Sequence, residues 1–417
     1  MSSRVLEGAP WFRSGPAARV LELLNGEGEE ARVVGGAVRN ALLNVPIGDV
    51  DIATTALPEE VMRRAKAASI KSVPTGIEHG TVTLVLETQP FEVTTLREDA
   101  ETFGRKAKVA FGRDWVRDAE RRDFTINGLS VDAEGRVHDY VGGLDDIAAR
   151  RVRFIGDPDQ RIEEDYLRIL RFFRIHAAYG AGEPDRAGYL ACIRGRTGLA
   201  SLSAERVRVE ILKLMVAGGA AVAATAMADG GLLLPLFGGV AYIGAFDAMI
   251  SAERALSLPA DPIRRLGALA VAVTEDARRV AARLRLTNAE TRTLDSMGHR
   301  WWRLAAMDEL TARRRLYRLG AEGYRNRLLL AWARSGGEAG ATSWIELATL
   351  PERWVAPKFP LRAADFIARG IAEGPRLGQA LGLAEDAWLA ANFPLDTQSL
   401  DAIADQAAGR VSRDGRP

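Results

Sequence analysis

Short apolar runs alternate with helical patterns in the first third of the chain. Five runs have the apolar or alternating character of strands: Arg32–Val34, Asp49–Thr54, Thr81–Glu87, Phe91–Leu96 and Arg136–Val141. A helix pattern covers Leu57–Ala68, with Pro58 in the first turn, where proline is favoured. A turn at Pro90 separates the third strand from the fourth. This alternation predicts an α/β unit that ends near Gly142.

Helical periodicity replaces the strand signal after Arg150. Six segments carry apolar residues at helical spacing: Glu163–Ala178, Glu205–Val216, Ala252–Leu258, Pro262–Val273, Glu275–Leu284 and Leu310–Leu319. The polar segment at the end of the chain, Asp405–Pro417, is expected to fray. The chain as a whole is therefore predicted to have an α+β fold.

Composition narrows the class of protein. The 417 residues are 47% hydrophobic and carry a net charge of +1, so the chain can bury a core and is not a uniformly basic nucleic-acid coat. One cysteine, Cys192, excludes an intramolecular disulfide framework, and four scattered histidines argue against a histidine-rich metal centre. No apolar run reaches the roughly 18–20 residues of a membrane span, and Met1–Phe12 lacks the apolar core of a signal peptide. We therefore expect a soluble cytoplasmic protein that does not contact a membrane.

One segment departs from this neutral balance. Residues 281–330 contain eleven arginines and five acidic residues, which gives a local charge of +6. Arginines interleaved with Trp301, Trp302, Tyr317 and Tyr324 suit a phosphate backbone with exposed bases. A solvated helical face with aromatic side chains packed inside explains the same pattern. The segment therefore only supports a nucleic-acid-binding function.

A pair of carboxylates is the sharpest local motif. Asp49 and Asp51 are two residues apart, so on a strand both project from the same face. Mg²⁺ takes oxygen ligands and commonly uses one or two carboxylates plus substrate phosphates. Two such ions clamp the attacking and leaving oxygens of a phosphoryl displacement. Taken alone, the pair also fits a solvated strand end.

A glycine pair upstream makes this motif more specific. Val33–Arg39 has the pattern of a strand, then Gly35-Gly36, then the start of a helix. Glycines let backbone N–H groups approach phosphates, and the N-terminus of a helix attracts anions. Arg39 lies one turn into this helix, where it could contact a triphosphate. An ordinary strand-to-helix turn explains the glycines by themselves, but not their combination with Asp49 and Asp51.

Two further segments supply candidate residues. Glu92 lies on a strand expected to neighbour the strand of Asp51, either as a third metal ligand or base, or as a structural residue paired with a cation. In the run Arg121-Arg122-Asp123, we expect Arg122 to contact phosphate or ribose. Asp123 is expected to have a structural role, capping nearby N–H groups.

A row of polar residues follows on a predicted helix, where Asp165, Arg168, Arg171 and Arg174 recur every three residues. Helical neighbours at this spacing touch, so Asp165 can lie beside Arg168, whereas Arg174 drifts about half a turn away. A carboxylate accepts and a guanidinium donates, so the pair matches the amino donor and ring-nitrogen acceptor of cytosine and adenine. It repels uracil and guanine. A surface ion-pair ladder explains the same spacing.

Taken in order, these segments resemble the class II tRNA nucleotidyltransferases, the CCA-adding enzymes of the polymerase-β-like superfamily. The motifs that carry the resemblance are Gly35–Arg39, Gly48–Asp51, Arg121–Asn127 and Glu164–Arg171. Bacterial poly(A) polymerases share them. The resemblance is strong over about residues 30–215 and weak beyond, as far as Gly378.

The resemblance implies four parts: a polymerase-β-like nucleotidyltransferase head with a small mixed sheet (1–150), neck helices with a base-recognition pocket (151–217), an RNA-binding helical body (218–345) and a helical tail (346–417). It implies Mg²⁺ binding by Asp49 and Asp51. It implies that a larger set binds the nucleotide: Gly35, Gly36, Arg39, Arg122, Asp165, Arg168, Arg171 and Arg174. The implied substrates are CTP, ATP and the 3′ end and acceptor stem of tRNA.

Several details distinguish within the family. Gly76–Thr83 resembles the version found in CCA-adding enzymes, whereas bacterial poly(A) polymerases carry an Arg-rich stretch there. The dipeptide His138-Asp139 cannot build the metal site of the phosphohydrolase domain that some members append, so we expect no such domain. Gly128 departs from the alanine or serine usual in the family, and glycine at a helix position costs up to about 1 kcal/mol relative to alanine.

The sequence therefore predicts template-independent addition of C, C and A to tRNA, with release of pyrophosphate. A poly(A) polymerase, or an enzyme that adds part of CCA, stays open because specificity depends on pocket shape and flexible loops. The intact carboxylates Asp49, Asp51 and Glu92 argue against a non-catalytic RNA-binding paralogue. A dinucleotide-binding protein would need Gly-x-Gly-x-x-Gly after the first strand, which is absent.

Overall fold

The structure is a computed structural model that describes residues 9, 12, 14–99, 109–304, 307–336 and 342–413. The strands are β1 (Ala31–Val34), β2 (Asp51–Thr54), β3 (Lys71–Gly76), β4 (Thr81–Leu86), β5 (Gln89–Thr95), β6 (Arg97–Asp99), β7 (Val109–Phe111), β8 (Ser130–Val131) and β9 (Val137–His138). The helices of the first 241 residues are α1 (Pro16–Leu24), α2 (Gly36–Leu43), α3 (Pro58–Ala67), α4 (Trp115–Glu120), α5 (Gly143–Ala148), α6 (Pro158–Glu164), α7 (Leu167–Tyr179), α8 (Arg186–Arg194), α9 (Ala204–Met215), α10 (Ala220–Asp229) and α11 (Leu233–Phe237).

The remaining helices are α12 (Ile243–Ala255), α13 (Pro262–Ala270), α14 (Thr274–Leu284), α15 (Asn288–Gly298), α16 (Glu309–Arg334), α17 (Thr342–Ala348), α18 (Leu350–Arg353), α19 (Ala363–Ile367), α20 (Pro375–Ala390) and α21 (Thr397–Arg413). Short 3₁₀ segments lie at Ile77–His79, Thr125–Asn127, Gly195–Ser201 and Trp301–Leu304. No helix in the described residues is long and apolar enough to cross a membrane.

A seven-stranded sheet organises the N-terminal part, in the order β3-β4-β5-β2-β1-β8-β9. β2 pairs with β5 in parallel, and the other neighbours pair antiparallel, so the sheet is mixed as predicted. All four residues of β1 are buried, as expected for a central strand covered on both faces. Four predicted strands agree with β1, β2, β4 and β5 to within two residues, while β3 and β8 were not predicted.

The hairpin between β4 and β5 corrects one prediction. Leu86 pairs with Gln89, and the turn consists of Glu87 and Thr88, whose φ angles are 50° and 72°. A two-residue hairpin turn of type I′ requires positive φ at both positions. Pro90 therefore lies inside β5, opposite Val85, rather than in the turn. The β2 ladder begins only at Val93, so the missing N–H of the proline interrupts no pairing there.

The predicted helix over Glu163–Ala178 is also wrong, because it is broken at Asp165. α6 ends at Glu164, Asp165 is extended (φ −155°, ψ 106°), and α7 begins at Leu167. The Asp165 side chain accepts a hydrogen bond from the backbone N–H of Leu167 (3.1 Å). Such a local bond lets the chain leave one helix and enter the next without losing a donor. α7 then buries Leu170 and Phe173 on its inner face.

The chain separates into two compact units. The first comprises Met1–Ala241 with Arg283–Arg285, and the second comprises Tyr242–Ala282 with Leu286–Pro417. The first contains the sheet and the helices through α11. In the second, every regular element among the described residues is helical. The predicted head, neck, body and tail boundaries stay predictions.

Two apolar cores hold the second unit together. One surrounds Tyr324, Leu328 and Trp332 on α16, which is kinked at Gly320 (φ 69°). The other surrounds Trp388 on α20.

The C-terminal helix α21 belongs to this second core and extends as far as Arg413. Ala404, Ala407, Ala408 and Val411 are buried at helical spacing against it. The predicted fraying from Asp405 is therefore wrong up to Arg413, because this stripe of small apolar residues packs. Residues 414–417 lie outside the described part of the chain.

Candidate active site

A sharp turn after β1 opens the site. Gly35 has φ 70° and ψ −122° and precedes the first residue of α2. A β-carbon at Gly35 would lie 3.1 Å from Nη1 of Arg122. The positive φ and the close approach both favour glycine at this position. The predicted strand–Gly-Gly–helix arrangement of Val33–Arg39 is thus present, with the N-terminus of α2 facing the site.

The carboxylates come together through strand pairing. Ile52 on β2 is opposite Val93 on β5, which places Glu92 on the neighbour of the strand that begins at Asp51. The neighbouring strand predicted for Glu92 is therefore observed. Asp49 lies in the loop just before β2 rather than on the strand.

The negative charges of Glu92 and Asp49 both act on the carboxylate of Asp51. Its pKa is raised from the ordinary value by burial, and further by the negative charges of Glu92 and Asp49, while Arg122 opposes the shift. The Asp51 side chain is exposed to solvent. Because it lies in a concave site, the surrounding protein nevertheless excludes part of its hydration shell. Carboxylates that destabilise one another in this way are stabilised by a cation.

A cavity of about 430 Å³ lies in front of these residues. It is lined by Gly35, Gly36, Arg39, Asp51, Arg121, Arg122, Asp123, Asn127, Arg168, Arg171, Arg174 and Ile175. Six arginines against two aspartates make the lining strongly basic, which suits a polyanionic ligand. Eight of the eleven predicted site residues are in this lining; the exceptions are Asp49, Glu92 and Asp165.

Two polar cavity residues that sequence reasoning did not select are Arg121 and Asn127. Both lie in the segment Arg121–Asn127 that carries the resemblance. The pairing of charges there could have pointed to Arg121, because an arginine two residues before an acid suits a phosphate site as well as Arg122 does. Asn127 gave no signal of its own, since its role depends on a contact with the distant Arg39.

Arg39 is held without a carboxylate. Its guanidinium is buried and donates to Asn127 Oδ1 and to Asn40 Oδ1 (3.1 Å from Nε and 2.8 Å from Nη2). It also stacks 3.7 Å above the ring of Tyr179. Burial lowers the pKa of Arg39, Arg174 lowers it further, and Tyr179 opposes both. No carboxylate of a described residue forms an ion pair with Arg39, so its charge is available to a bound anion.

The other cavity arginines are anchored by acids. Asp118 accepts from both Arg121 and Arg122, the latter at 3.1 Å. Arg174 pairs with Glu210 on α9. Arg174 lines the cavity and Asp165 does not, but the helical drift that predicted their separation does not apply, because Asp165 lies outside α7.

Asp123 is structural, but not through the predicted cap. It accepts from Arg168 Nε (2.7 Å) and pairs with Arg171 Nη1 (2.8 Å). This carboxylate fastens two arginines of α7 to the segment that follows α4. The pKa of Arg168 is raised: burial lowers it, and bonds to Glu164 and Asp123 outweigh that effect.

The side chains of Asp165 and Arg168 do not pair with each other as predicted, although the backbone N–H of Arg168 donates to the carbonyl of Asp165 (3.0 Å). The Asp165 carboxylate pairs with Arg206 on α9 (2.6 Å) and accepts from Leu167 N–H, whereas Arg168 pairs with Asp123 and Glu164. The break between α6 and α7 is the physical reason, since the i, i+3 rule holds only within a continuous helix. Base recognition by this pair stays a prediction.

A divalent cation fits the donor set. Within the described residues, no group of three or more His, Cys, Asp and Glu side chains forms a complete metal cage. Mg²⁺ does not require one, because it usually keeps water and binds one or two carboxylates with substrate phosphates. Asp49 and Asp51 offer two hard oxygen donors, and the repulsion that raises the pKa of Asp51 is what such an ion would relieve.

The dipeptide His138-Asp139 has structural partners in this unit. His138 pairs with Asp132 (2.8 Å). Asp139 accepts hydrogen bonds from four successive backbone N–H groups, at residues 141–144. Both side chains therefore serve the strand and turn that lead into α5.

Two family models match the chain. Residues 31–153 match the poly A polymerase head domain, and residues 193–243 match the probable RNA and SrmB-binding site of polymerase A. The first match covers the glycine turn, both aspartates, Glu92 and Arg122.

Curated relatives match about half of the chain. The mitochondrial CCA tRNA nucleotidyltransferase 1 of Danio rerio is 45% identical over 190 residues, 45% of this chain and 44% of the relative. The CCA-adding enzyme of Enterococcus faecalis is 40% identical over 202 residues, 48% of each chain. The matched segment thus spans about half the length of these relatives.

The fold likeness extends along nearly the whole chain. The crystal structure of the Bacillus stearothermophilus CCA-adding enzyme in complex with CTP covers 97% of this chain and 99% of its own, at 26% identity and a TM-score of 0.75. The Thermotoga maritima CCA-adding enzyme complexed with tRNA-CCA shares the fold, with a TM-score of 0.71 at 19% identity. The head and the RNA-binding segment of this chain are thus similar to those of poly A polymerases, and its fold is similar to that of the CCA-adding enzymes.

Proposed function

We propose that this protein adds C, C and A stepwise to the 3′ end of tRNA, using CTP and ATP and releasing pyrophosphate. The observation that carries the proposal is a basic cavity that also contains Asp51. A phosphate-binding lining next to mutually repelling carboxylates is the arrangement that nucleotidyl transfer needs. The names of the relatives, and the CTP bound to the Bacillus stearothermophilus enzyme, supply the substrates.

The triphosphate would lie against Arg39, Arg122 and the N-terminus of α2. Arg39 contributes an uncompensated charge, and Gly35 lets Arg122 approach the turn closely. Gly36 exposes the first N–H groups of the helix. These groups would bind the nucleotide and orient its α-phosphate toward the attacking hydroxyl of the RNA.

Asp49 and Asp51 would hold Mg²⁺. When bound, the metal would activate the 3′-hydroxyl and stabilise the pyrophosphate leaving group. Glu92, on the strand beside Asp51, is proposed as a third ligand or as the base that accepts the hydroxyl proton. In the alternative, Glu92 is a structural residue, and its negative charge only raises the pKa of Asp51.

The incoming base would be recognised from the neck helices. Asp165 and Arg168 together present an acceptor and donors that match cytosine and adenine. Because Arg206 and Asp123 hold them in this structure, recognition requires each side chain to reach the base with its remaining lone pairs or N–H groups. Arg171 and Arg174 would complete the nucleotide site, since both line the cavity.

The body (residues 218–345) and the tail (residues 346–417) are proposed to hold the tRNA acceptor stem.

We also propose a cytoplasmic location. A buried free thiol at Cys192 is compatible with a reducing compartment. The relative from Danio rerio is named as a mitochondrial enzyme, whereas the name of the Enterococcus faecalis relative gives no compartment. Fractionation of cells that express the native protein tests the location.

A poly(A) polymerase is the second candidate, and the match of residues 31–153 to a poly A polymerase head favours it. Partial addition of CC or A uses the same chemistry. Labelled CTP and ATP, supplied separately and together with Mg²⁺ to a tRNA that lacks CCA and to an unrelated RNA, separate these cases. The proposal predicts that ATP incorporation depends on prior addition of CTP and on the tRNA. Extension of both RNAs with ATP alone would replace it with poly(A) synthesis, and binding without incorporation would support a non-catalytic protein.

A further inference from the structure

Another cavity, of about 610 Å³, lies within the helical second unit. This volume is in the usual range for a ligand site. Its large side chains are Tyr242, Trp301 and Arg334, and the rest of its lining consists of glycine and alanine. Gly244 and Gly336 are exposed, so the cavity opens to solvent. It therefore presents two aromatic rings and one cation to an open space.

Arg334 carries the charge of this cavity. Its Nη2 donates to the carbonyls of Val271 (2.6 Å) and Ala268 (3.4 Å), which caps the C-terminus of α13. Its guanidinium lies 4.1 Å from the centre of the Tyr242 ring and 5.3 Å from that of Trp301. In the part of the chain that the structure describes, no carboxylate forms an ion pair with Arg334, and its buried Nε lacks a hydrogen-bond partner. These neutral contacts fix Arg334 but leave its formal charge for an anion.

The two aromatic residues are held by the backbone around them. Trp301 Nε1 donates to the carbonyl of Ala272 (2.8 Å), and the N–H of Tyr242 donates to the carbonyl of Leu269 (2.7 Å). Aromatic rings and guanidinium planes are the surfaces on which unpaired bases stack, and a cation beside them suits a phosphate. Tyr242 also lies in the segment 193–243, which matches the probable RNA and SrmB-binding site of polymerase A. Both observations indicate RNA as the ligand.

We propose that this cavity binds one unpaired nucleotide of an RNA strand, with the base against Tyr242 and Trp301 and the phosphate at Arg334. A base inside a duplex is already paired and stacked, so it cannot enter. The site is separate from the cavity at Asp51, because all of its lining belongs to the second unit and Asp51 belongs to the first. The inference rests on the proposed function for the identity of its ligand, since RNA is the substrate proposed there.

The test is binding of a fluorescein-labelled, single-stranded RNA octanucleotide, measured by anisotropy in EDTA across a salt series. Arg334→Met removes the charge of the cavity. It should reduce the slope of log K against log salt by about 0.7, the contribution of one phosphate on a single strand. The same octanucleotide annealed to its complement is the paired probe.

Ala245→Leu tests the space for the base and keeps the cap on α13. Ala245 lines the cavity from α12, so a leucine there would occupy part of the open space. This variant should weaken binding of the single-stranded probe about fivefold or more, the usual effect of losing one stacked base. Binding of the duplex probe should change less than twofold.

Ala402→Leu is the matched control. Ala402 is exposed on α21, and the substitution adds the same apolar group outside the cavity. It should change the affinity for either probe less than twofold. Circular dichroism and the unfolding midpoint establish that each variant is folded, and Ala245→Leu decides the question if Arg334→Met is not.

The outcomes separate this inference from the function on which it rests. If wild-type protein neither extends tRNA nor binds the single-stranded probe, both fail. If it extends tRNA while Arg334→Met keeps the wild-type salt slope and Ala245→Leu keeps the wild-type affinity, only the role of this cavity is overturned. Equal losses for the single-stranded and duplex probes in Ala245→Leu would also contradict it. Selective loss of the single-stranded probe without any extension of tRNA by wild type would support the cavity and remove the proposed function.

Discussion

Asp51 carries a charge that its surroundings disfavour. Burial and the carboxylates of Glu92 and Asp49 raise its pKa, and Arg122 offsets only part of the effect. Groups held in this way lower the stability of the free protein and become favourable when a ligand supplies the opposite charge. The pair Asp49 and Asp51 could be predicted from its spacing in the sequence. The position of Glu92 beside Asp51, by contrast, follows from the parallel pairing of β2 with β5, which the structure shows.

Asp51→Asn should separate stability from activity. In metal-free buffer, the unfolding midpoint should equal or exceed that of wild type, because the substitution removes a repelled charge. Nucleotide transfer should fall about a thousandfold or more, since several kcal/mol of transition-state stabilisation are lost. Glu134→Gln, at an exposed turn, serves as the control and should change neither quantity. A lowered midpoint in Asp51→Asn would show that Asp51 is a structural residue.

Gly128 reverses an expectation from propensity. The sequence suggested that glycine loosens a helix there, so alanine should stabilise the protein. In the structure, a β-carbon at Gly128 would lie 2.6 Å from Val141 Cγ2 and 3.3 Å from Ile155 Cδ1. The space is already filled by side chains whose positions the sequence pattern did not reveal.

Gly128→Ala is therefore expected to lower the free energy of unfolding by about 1–3 kcal/mol, the usual effect of overpacking. Adding Val141→Ala should recover part of this loss, because it removes the closest methyl group. Denaturant unfolding of wild type, both single variants and the double variant measures the coupling. A more stable Gly128→Ala would show that the neighbouring side chains move aside without strain.

The break between α6 and α7 is the element that sequence periodicity missed. Polar residues at three-residue spacing continue through Asp165, so the pattern looks like one helix. The backbone leaves the helix because the Asp165 side chain satisfies the N–H of Leu167 and pairs with Arg206, which is 41 residues away. Contacts with distant residues decided this element, whereas the strand and turn at Gly35 were specified locally and were predicted.

Asp165→Ala should relax the choice of nucleotide. Loss of a charged acceptor, worth about 1.5–3 kcal/mol, should raise incorporation of UTP or GTP relative to CTP about tenfold to a hundredfold. Single-turnover incorporation of each nucleotide on the same tRNA measures the ratio. Arg206→Ala keeps the Asp165 carboxylate and should change the ratio less. An unchanged ratio in Asp165→Ala would refute base recognition by this residue.

Part of the basic segment 281–330 is the packed helical face that was one of the two interpretations of the sequence. Arg313 pairs with Glu309 (2.6 Å), Arg325 pairs with Glu352 (3.0 Å), and Tyr324 is fully buried. These residues belong to a packed helical face. Arg300 and Arg303, by contrast, are exposed, and they help to lower the pKa of His299, for which burial is the largest cause. Sequence did not separate these groups, because Glu352, the partner of Arg325, is 27 residues away along the chain, although Glu309 is only four residues from Arg313.

The double variant Arg300→Ala/Arg303→Ala should weaken tRNA binding and reduce the dependence of log K on log salt by about 1.5–2, if both contact phosphates. Filter binding across a salt series measures both quantities. Arg313→Ala is the matched control, since its ion pair with Glu309 already uses its charge. Equal effects of the control and the double variant would place the RNA elsewhere on the protein.

The resemblance in sequence was strong only over about residues 30–215. The fold, however, is similar to that of the Bacillus stearothermophilus CCA-adding enzyme over 97% of the chain, at 26% identity. The helical second unit is specified by apolar spacing, which tolerates many substitutions, whereas the head is specified by chemistry at particular residues. The motifs therefore indicated the same similarity as the head-domain match, and apolar spacing indicated that the remainder is helical, whereas the bounds of its helices required the structure.

The intact mass of a tRNA lacking CCA, after exhaustive reaction with this protein, Mg²⁺ and all four nucleoside triphosphates, tests the central claim most directly. The account predicts a gain equal to two cytidylates and one adenylate, with no further extension and no uridylate or guanylate. A ladder of adenylates would identify a poly(A) polymerase, and a product that stops at CC or gains a single A would identify a partial activity. An unchanged mass would contradict the assignment of nucleotidyl transfer to this cavity.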